Sequence, residues 1–323
     1  MLDVVVISSP DHDTLRHLAP LRDLAHVSVS DDSEELARLL PRAEVVVFGF
    51  FSASLDLPSL WRRAERVRWA HSLSAGVESL MFPALARSAV PLTNARGVFK
   101  RPLAEFALLG ILFHYQRVRR LIENQRARQW HEVSVSLLQG RVMGVAGYGE
   151  IGRECALVAQ GAGMSIHALR RHPRRSAGDD IVSRVFAPEG LHEMLRGLDV
   201  LLCAAPLTRE TRHLIGDAEL EMMKPTAIVI NVGRGPVIDE SALVRALVNK
   251  RIAGASLDVF EHEPLPRDSP LWGMENVLIS PHSADRTVDP DWLQQTVDCF
   301  IANFHRYRGG QPLENLVDKR AGY

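Results

Sequence analysis

The sequence has few cysteines and no arrangement of them that would hold a metal ion or a disulfide framework. Cys155, Cys203 and Cys299 are the three cysteines of the 323-residue chain, and they are far apart and without CxxC spacing. Zinc proteins and disulfide-stabilised secreted proteins use regular cysteine spacings. The scarcity therefore argues against both classes, predicts that no metal is bound, and favours a reducing, cytoplasmic compartment.

Long apolar runs and an excess of one charge are also absent. The longest apolar run, "FALLGILF", ends at Phe113, and a membrane-spanning helix needs about 18 apolar residues or more. The beginning "MLDVVVISSP" lacks the basic stretch that starts a secretory signal. With a net charge of -1, the molecule as a whole has no field that would hold nucleic acid or an anionic membrane. We therefore expect neither as a partner.

What the sequence does contain is an alternation of apolar strands and helical segments. Runs such as "LDVVVIS", "RVMGVAG" and "TAIVINVG" are typical of parallel strands covered on both faces, and helical patterns such as "DESALVRALVNK" lie between them. The order predicts an α/β protein with a doubly wound parallel sheet, a Rossmann domain, at 97–285. A second, smaller flavodoxin-like α/β domain is expected from 1–96 plus 286–323, joined by short hinges near 94–99 and 282–289.

One long helical pattern runs from Leu103 to Trp130. Its first half is apolar and its second half is strongly basic. The pattern predicts a single helix that is half buried. Because the apolar half is more than one domain face would need, it also predicts a homodimer.

Three glycines follow a predicted strand at the spacing of a dinucleotide-binding loop. Gly147 permits a tight turn, Gly149 lets the backbone approach a pyrophosphate, and Gly152 allows a helix to pack closely on the strand. The N-terminus of that helix stabilises the anion. The flanking strand and helix favour this interpretation over a glycine-rich turn without a ligand, although the Glu150 carboxylate has to point away from the phosphates. The predicted cofactor-binding residues of this loop are Gly147, Tyr148, Gly149, Glu150, Ile151 and Gly152.

The segment "ALRRHPRR" indicates which dinucleotide to expect. An acidic residue about 20 positions after the first glycine usually binds the adenosine ribose hydroxyls, but the residue 23 positions after Gly147 is Arg170. The carboxylate that would repel a 2′-phosphate is absent at this position. Guanidinium groups bind phosphate bidentately, so Arg170 and Arg171 favour NADP(H). NAD(H) stays open as the cofactor, and a solvated basic turn or a nucleic-acid-binding patch stays open as the role of the segment.

Three further motifs place charged residues after predicted strands. They are "NVGRGPVIDESAL" with Arg234, "GASLDVFEHEPLP" with Asp258 and Glu263, and "PLWGMENVLISPHSA" with His282. Together with the glycine loop, "SAGVESL" and "APLTRETRHLIG", they make nearly the whole chain resemble the D-isomer-specific 2-hydroxyacid dehydrogenase family. The C-terminal "LVDKRAGY" is similar to the ends of some glyoxylate/hydroxypyruvate reductases.

The resemblance implies a role for each matching residue. Arg234 would hold the substrate carboxylate and polarise the carbonyl, His282 would donate the proton, and Glu263 would pair with His282. Arg234 and His282 would also bind substrate, together with the backbone amides of Ala75, Gly76 and Val77. Further cofactor contacts would come from Ala205, Pro206, Thr211, Val232, Gly233 and Asp258, the last of these near the nicotinamide. Glu78 and the segment "SADR" after His282 depart from the family pattern, which leaves the substrate open.

The chemistry agrees with these roles. Hydride transfer from NADPH to a 2-oxoacid builds an alkoxide beside a carboxylate, so the site needs a fixed cation and a proton donor. Arginine stays charged, whereas histidine exchanges its proton and is held in the charged form by a nearby carboxylate. The sequence therefore predicts an NADP(H)-dependent oxidoreductase that interconverts small 2-oxoacids, such as glyoxylate or hydroxypyruvate, and D-2-hydroxyacids.

Alternatives remain at two levels. The whole protein could be a dinucleotide-sensing interaction protein with little turnover. Single residues could also have plain structural roles: Arg234 in a surface pair with Asp239, Glu263 as a solvated loop acid, or His282 as a residue that only caps a strand.

Overall fold

The computed structural model describes residues 1–52, 54–287 and 289–323, with the backbone alone at Pro290. The chain divides into two compact units. Unit 1 comprises Met1–Phe99 and Thr287–Tyr323, and unit 2 comprises Lys100–Arg286. The sequence predicted boundaries after 96 and after 285, and the functional roles of the two units stay predictions. The predicted hinge at 282–289 includes Val288, which lies outside the described residues.

Unit 1 is built on a five-stranded parallel sheet with the strand order β2-β1-β3-β4-β5. The strands are β1 (Leu2–Ile7), β2 (Ala25–Ser30), β3 (Val45–Phe48), β4 (Trp69–Ser72) and β5 (Leu92–Asn94). The helices between them are α1 (Ser33–Leu39), α2 (Leu57–Trp61) and α3 (Pro83–Ala86), with 3₁₀ segments at Asp13–Leu21, Leu40–Arg42 and Glu78–Leu80. The order 2-1-3-4-5 is that of flavodoxin-like folds.

Unit 2 is built on a seven-stranded parallel sheet with the order β12-β11-β10-β9-β6-β7-β8. The strands are β6 (Val142–Ala146), β7 (Ser165–Leu169), β8 (Arg184–Phe186), β9 (Val200–Cys203), β10 (Ile228–Asn231), β11 (Gly254–Leu257) and β12 (Val277–Ile279). The helices are α4 (Lys100–Tyr115), α5 (Val118–Arg126), α6 (Glu150–Gly161), α7 (Leu191–Arg196), α8 (Asp217–Met222) and α9 (Glu240–Val248). Counted within the unit, this is the Rossmann order 3-2-1-4-5-6 with one added strand. The predicted fold class is confirmed.

The single long helix predicted from Leu103 to Trp130 is wrong. The chain forms α4 and α5, which are separated at Gln116 and Arg117, and the second helix ends at Arg126. Arg117 has a φ of 51°, a left-handed backbone that interrupts the helix. Both helices contact the sheet: His114 Nε2 of α4 lies 3.2 Å from the Ala255 carbonyl oxygen, and Arg119 of α5 donates to the Val277 carbonyl at 3.3 Å. Residues 127–139 form neither helix nor strand.

The last helix, α10 (Pro290–Arg308), belongs to unit 1. Successive side chains of a strand point to opposite faces, so both faces of the unit 1 sheet need a cover. Val5 and Ile7 of β1 pack in a cluster that includes Leu36 of α1. Val4 and Val6 pack on the other face, in a cluster that includes Phe300 and Phe304 of α10. This two-sided burial explains why β1 is a continuous apolar run.

Candidate active site

Three predicted catalytic residues follow three neighbouring strands of unit 2. Arg234 follows β10, Glu263 follows β11, and His282 follows β12. Because parallel strands end at one edge of a sheet, their loops meet there, and this edge is where α/β sheets bind ligands. The family resemblance grouped these three residues as catalytic. In the structure, they lie at one edge of one sheet.

His282 and Glu263 form a hydrogen-bonded pair. His282 Nδ1 lies 2.6 Å from Glu263 Oε2, and the other oxygen of Glu263 accepts a hydrogen bond from the Phe260 amide at 2.9 Å. The two side chains are 46% and 34% exposed, so both are fixed while still open to solvent. With Nδ1 occupied by Glu263, Nε2 is the nitrogen that can exchange a proton with a substrate.

The backbone at His282 is held in an unusual conformation. Its φ is 50°, in the left-handed region, which a residue other than glycine adopts only where its surroundings impose it. The His282 amide donates to the Asp258 carbonyl at 2.8 Å. The side chain of Asp258 accepts at Oδ1 from the Ser280 hydroxyl and from the Ser283 and Ala284 amides, at 2.6, 2.9 and 3.0 Å.

The loop that carries Arg234 lies directly against the loop that carries Glu263. A Cβ on Gly235 would lie 1.9 Å from the backbone of Phe260, so only glycine fits there. Asn231 holds the same loop from inside the sheet, because its Nδ2 donates to the Arg234 carbonyl at 3.1 Å and its Oδ1 accepts from the Gly233 amide at 3.1 Å. Asp239 caps α9 by accepting from the Ala242 amide at 3.0 Å.

A further carboxyl group, Asp285, lies near this pair. It occupies a tight turn closed by a 2.9 Å hydrogen bond from the Arg286 amide to the Ser283 carbonyl. Burial, and after it the nearby Asp258 carboxylate, raises the pKa of Asp285, while His282 opposes the shift. Asp285 belongs to the segment "SADR" that departs from the family pattern.

The glycine loop follows β6 and lies at the point where the strand order of the sheet reverses. Gly147 has a φ of 97°, and a Cβ there would lie 2.4 Å from the Ala205 nitrogen. A Cβ on Gly152 would lie 2.4 Å from the Gly147 carbonyl oxygen, whereas one on Gly149 would meet nothing within 4 Å. Gly147 and Gly152 are therefore needed for close packing, and Gly149 faces open space.

The start of α6 suits an anionic ligand. Its N-cap is Gly149, which makes no side-chain capping hydrogen bond, so the amide donors of the first turn are not satisfied by a cap. Glu150 and Gly149 are exposed, and Ile151 is partly exposed. These donors and the open space at Gly149 fit the pyrophosphate of a dinucleotide. Tyr148 is only 3% exposed, and its hydroxyl donates to Asp179 at 3.0 Å; burial, then this bond, raises its pKa.

The predicted phosphate-binding arginines follow β7. Arg170 is partly buried, donates from Nη1 to the Ser176 hydroxyl at 2.7 Å and lies 6.0 Å from the centre of the Tyr148 ring. Arg171 is exposed and lies 3.5 Å from Glu210. Arg170 is thus the more ordered of the two cations, and the Ser176 hydroxyl lies beside it.

The remaining predicted cofactor residues lie in two loops next to the glycine loop. A Cβ on Gly233 would lie 2.9 Å from the Ala205 carbonyl oxygen, and Val232 donates its amide to the Cys203 carbonyl at 3.0 Å. The Thr211 hydroxyl donates to the Pro206 carbonyl at 2.6 Å and braces that loop from within.

The predicted substrate loop belongs to unit 1. Ala75, Gly76 and Val77 follow β4, and the Ala75 carbonyl accepts a 2.7 Å hydrogen bond from Asn94 at the end of β5. Val77 is buried. Asn94 was not predicted as a site residue.

Several polar residues at the site were not predicted from the sequence. They are Asn94, Ser176, Asn231, Ser280 and Asp285. For Asn231 a signal was present, since a polar residue that ends an apolar strand one turn before a functional motif is a candidate for a buried hydrogen-bonding role.

Over the described residues, no helix is long and apolar enough to cross a membrane, and no three histidine, cysteine or carboxylate side chains are grouped to hold a metal ion.

Comparison with known proteins agrees with this geometry. The family model described as "D-isomer specific 2-hydroxyacid dehydrogenase, NAD binding domain" matches residues 108–284. A glyoxylate reductase from Aeropyrum pernix is 35% identical over 237 residues, which is 71% of this chain and 70% of that protein.

Two solved structures are also similar over their full length. A D-isomer specific 2-hydroxyacid dehydrogenase from Xanthobacter autotrophicus, in complex with NADPH and MES, has a TM-score of 0.84 and 30% identity, and covers 99% of both chains. An NADPH-dependent glyoxylate/hydroxypyruvate reductase from Sinorhizobium meliloti, in complex with NADP and sulfate, has a TM-score of 0.87 and 26% identity, and covers 100% of both chains. On the family match and this similarity, the chain belongs to the D-isomer specific 2-hydroxyacid dehydrogenase family and carries its nicotinamide-dinucleotide-binding domain.

Proposed function

We propose that the protein is an NADP(H)-preferring reductase that interconverts small 2-oxoacids and D-2-hydroxyacids. The observation that carries the proposal is the 2.6 Å pair of His282 and Glu263, which lies at the same sheet edge as Arg234. A cation that cannot lose its charge and a histidine that can donate its proton are the two groups that reduction of a 2-oxoacid requires. The names of the glyoxylate reductases among the relatives support this substrate class.

Each residue of the proposed site has its own role in the reaction. The guanidinium of Arg234 binds the substrate carboxylate and draws electron density from the carbonyl oxygen. Glu263 fixes the ring of His282 through Nδ1, so that Nε2 delivers a proton to the carbonyl oxygen as it becomes a hydroxyl. In the oxidation of a 2-hydroxyacid, neutral His282 accepts that proton. The bound dinucleotide supplies the hydride for reduction and accepts it in oxidation.

NADP(H) preference is the finer part of the proposal. Arg170 and Arg171 occupy the strand end where a carboxylate would otherwise bind ribose hydroxyls, and Ser176 adds a hydroxyl beside Arg170. The two similar solved structures hold NADPH and NADP, which supports the same preference here. NAD(H) is the alternative cofactor.

A homodimer and a cytoplasmic location complete the proposal. Unit 2 carries exposed apolar side chains around α5 and the segment 127–139, among them Leu121, Trp130, Val135 and Leu137. Exposed apolar surface of this kind is typical of an interface. All three cysteines are free thiols, which supports a reducing compartment.

The test is NADPH oxidation on addition of glyoxylate, hydroxypyruvate and larger 2-oxoacids, followed by absorbance. Rapid turnover with at least one of them is the expected result. Tight NADPH binding without turnover on any 2-oxoacid would instead support the dinucleotide-sensing alternative.

A further inference from the structure

Two polar residues end neighbouring strands of the unit 2 sheet and are almost completely buried. Asn231 ends β10 and Asp258 directly follows β11, and each is 1% exposed. The Asp258 amide donates to the Asn231 carbonyl at 3.0 Å, so the two backbones are joined. Burying an amide and a carboxylate is costly unless their hydrogen bonds are made, so the partners of these side chains reveal their role.

Both polar atoms of the Asn231 side chain form hydrogen bonds with the loop that carries Arg234. Its Nδ2 donates to the Arg234 carbonyl, and its Oδ1 accepts from the Gly233 amide, both at 3.1 Å. The two bonds fix the peptide group before and the peptide group after the one that contains the Arg234 nitrogen. The direction in which the Arg234 side chain leaves the loop therefore depends on Asn231.

Asp258 holds the loop of His282 in the same way. Three donors from Ser280, Ser283 and Ala284 converge on its Oδ1 within 3.0 Å, and its carbonyl accepts from the His282 amide at 2.8 Å. These contacts enclose His282 from before and after in sequence. They supply the restraint that a φ of 50° at a histidine needs.

We propose that Asn231 and Asp258 are paired positioning residues, with Asn231 orienting Arg234 and Asp258 orienting His282. The inference rests on the proposed function, because it assigns each residue to one of the two proposed catalytic groups. It also changes the role expected for Asp258. The resemblance implied a contact near the nicotinamide, and the three hydrogen bonds at Oδ1 add a second role, that of holding the His282 loop.

The assignment predicts different kinetic effects for two conservative variants. Asp258→Asn keeps an acceptor oxygen but loses the charge that strengthens three hydrogen bonds. We expect kcat for glyoxylate reduction to fall by about 10- to 100-fold with little change in KM, because proton transfer is what a displaced His282 would impair. Asn231→Asp keeps Oδ1 but loses the donor to the Arg234 carbonyl. We expect it to raise KM for glyoxylate by about 10-fold, the effect of one weakened contact with a charged substrate group.

A matched control comes from the adjacent strand. Cys203 ends β9 and is fully buried, so Cys203→Ala disturbs the core without removing a side-chain hydrogen bond of either loop. Its melting temperature should fall, while kcat and KM stay close to those of the wild type. Each variant is also titrated with NADPH by fluorescence, and an unchanged Kd in Asp258→Asn separates positioning of His282 from a cofactor contact.

Double-mutant cycles test whether each residue acts through its partner. Asp258→Asn should cause almost no further loss of kcat in a His282→Ala background, and Asn231→Asp should cause almost no further rise of KM in an Arg234→Gln background. Equal effects in the presence and absence of the partner would overturn the inference while leaving the proposed function intact.

An assay without turnover covers the case in which the wild type reduces no 2-oxoacid, an outcome that contradicts the proposed function. The ring Nδ1 proton of His282, assigned by its loss in His282→Ala, is followed by ¹⁵N-edited NMR. The inference expects this signal to shift or broaden in Asp258→Asn and to persist in Asn231→Asp and Cys203→Ala. A signal that is unchanged in Asp258→Asn would overturn the role of Asp258.

Discussion

At the scale of single residues, the site depends on a histidine whose two nitrogens have different surroundings. Nδ1 of His282 is 2.6 Å from a Glu263 oxygen, and that carboxylate is itself fixed by the Phe260 amide. The pair is anchored at neighbouring strand ends, so the proposed proton transfer would need little rearrangement. This geometry supports the proposed role over that of a histidine that only caps a strand.

Replacing His282 with alanine should abolish most turnover and leave cofactor binding in place. We expect kcat for 2-oxoacid reduction to fall by about 100- to 10,000-fold, because this is the usual contribution of positioned proton transfer. The NADPH Kd, measured by fluorescence titration, should stay near that of the wild type. His262→Ala is the control, since His262 is an exposed histidine in the same loop as Glu263. A comparable loss of NADPH affinity in His282→Ala would show that its role is misassigned.

Replacing Arg170 with alanine should reduce the preference for NADPH over NADH. A hydrogen bond to a charged group contributes about 1.5 to 3 kcal/mol, so kcat/KM for NADPH should fall by about 10- to 100-fold and that for NADH should change little. Arg174→Ala is the matched control. Arg174 is exposed and lies beyond Pro173 in a short 3₁₀ segment, so its attraction is screened.

The measurement for Arg170 is kcat/KM with each cofactor at one fixed ionic strength. A wild type that prefers NADH, or an Arg170→Ala variant with an unchanged ratio, would assign the arginine cluster to a solvated basic turn. An equal effect of Arg174→Ala would point to general attraction instead of a specific contact.

At the scale of elements, the sequence predicted the continuous apolar strands and missed three edge strands. β1, β6 and β10 lie in the apolar runs named above. β3, β4, β7, β9, β11 and β12 lie in further runs that predict strands, which are "AEVVVFGF", "VRWAHSL", "MSIHAL", "DVLLCAAP", "AGASLDVF" and "NVLISPH". β2, "AHVSVS", was missed although it alternates apolar and polar residues as a half-buried strand does, and β5 and β8 are three-residue strands without a continuous apolar run. β2, β5 and β8 are all edge strands, and pairing with a neighbour stabilises them more than their own sequence pattern does.

The break between α4 and α5 had no signal of the usual kind. Neither proline nor glycine stands at Gln116 and Arg117, and the helical periodicity continues through them. The left-handed backbone of Arg117 marks the break, and only the structure reveals it. The functional loops were easier to predict, because their motifs follow apolar strands. The buried side chains that hold those loops were not predicted: the position of Asn231 at the end of an apolar strand was a signal that went unused, and a single serine such as Ser280 carries no pattern of its own.

Strand β4 contains a buried histidine that links the stability of unit 1 to pH. His71 is fully buried, its Nδ1 lies 2.7 Å from the Thr93 hydroxyl, and its Nε2 has no hydrogen-bond partner among the described residues. Phe300 of α10 lies against it, with ring centres 5.3 Å apart. Burial lowers the pKa of His71 from 6.5 to about 3.

The expected consequence is a loss of stability in acid that a variant without this imidazole does not share. The folded protein keeps His71 neutral, whereas the unfolded chain takes up a proton as the pH falls below 6.5. Stability relative to His71→Phe should therefore fall by up to about 1.4 kcal/mol per pH unit between these two pKa values. Above pH 6.5 the difference between the two proteins should not depend on pH.

Urea unfolding of the wild type and His71→Phe measures this difference in stability. The chosen pH values of about 7.5, 6 and 5 lie on both sides of the pH at which the difference should begin to change. His26→Phe is the control, since His26 is exposed on β2. A constant difference between wild type and His71→Phe across the three pH values would contradict the neutral, buried state of His71.

At the scale of the whole molecule, charge is balanced and the functional charges are local. The net charge is -1, yet Arg170 and Arg171 gather at one strand end and Arg234 at another. All predicted cofactor-binding and catalytic residues lie in unit 2, and the predicted substrate-loop residues 75–77 lie in unit 1. The proposed recognition of an anionic cofactor and an anionic substrate would therefore depend on arrangement within the fold and not on an overall field.

The apolar surface of unit 2 predicts assembly of two copies. Trp130 is 98% exposed and Leu137 is 70% exposed, although the segment that carries them is held by hydrogen bonds, including one of 2.9 Å from the Ser136 amide to the Tyr115 carbonyl. A segment that is held by hydrogen bonds and presents a tryptophan to solvent, with apolar side chains beside it, favours a partner surface, because tryptophan is a usual anchor of interfaces and exposed apolar patches mark them. The basis of the homodimer prediction thus moves from one long helix to this segment.

The double variant Trp130→Asp/Leu137→Asp should convert a homodimer into a monomer. Placing two carboxylates in an apolar interface leaves charges buried without partners, which strongly opposes association. Light scattering coupled to size-exclusion chromatography at micromolar concentration measures the mass of each protein. Val248→Asp is the matched control, because Val248 is an apolar residue that is 63% exposed at the end of α9, outside this segment, and its replacement should leave the dimer intact. A wild type that is already monomeric would contradict the homodimer, and dissociation by Val248→Asp with no effect of the double variant would place the interface on a different face of unit 2.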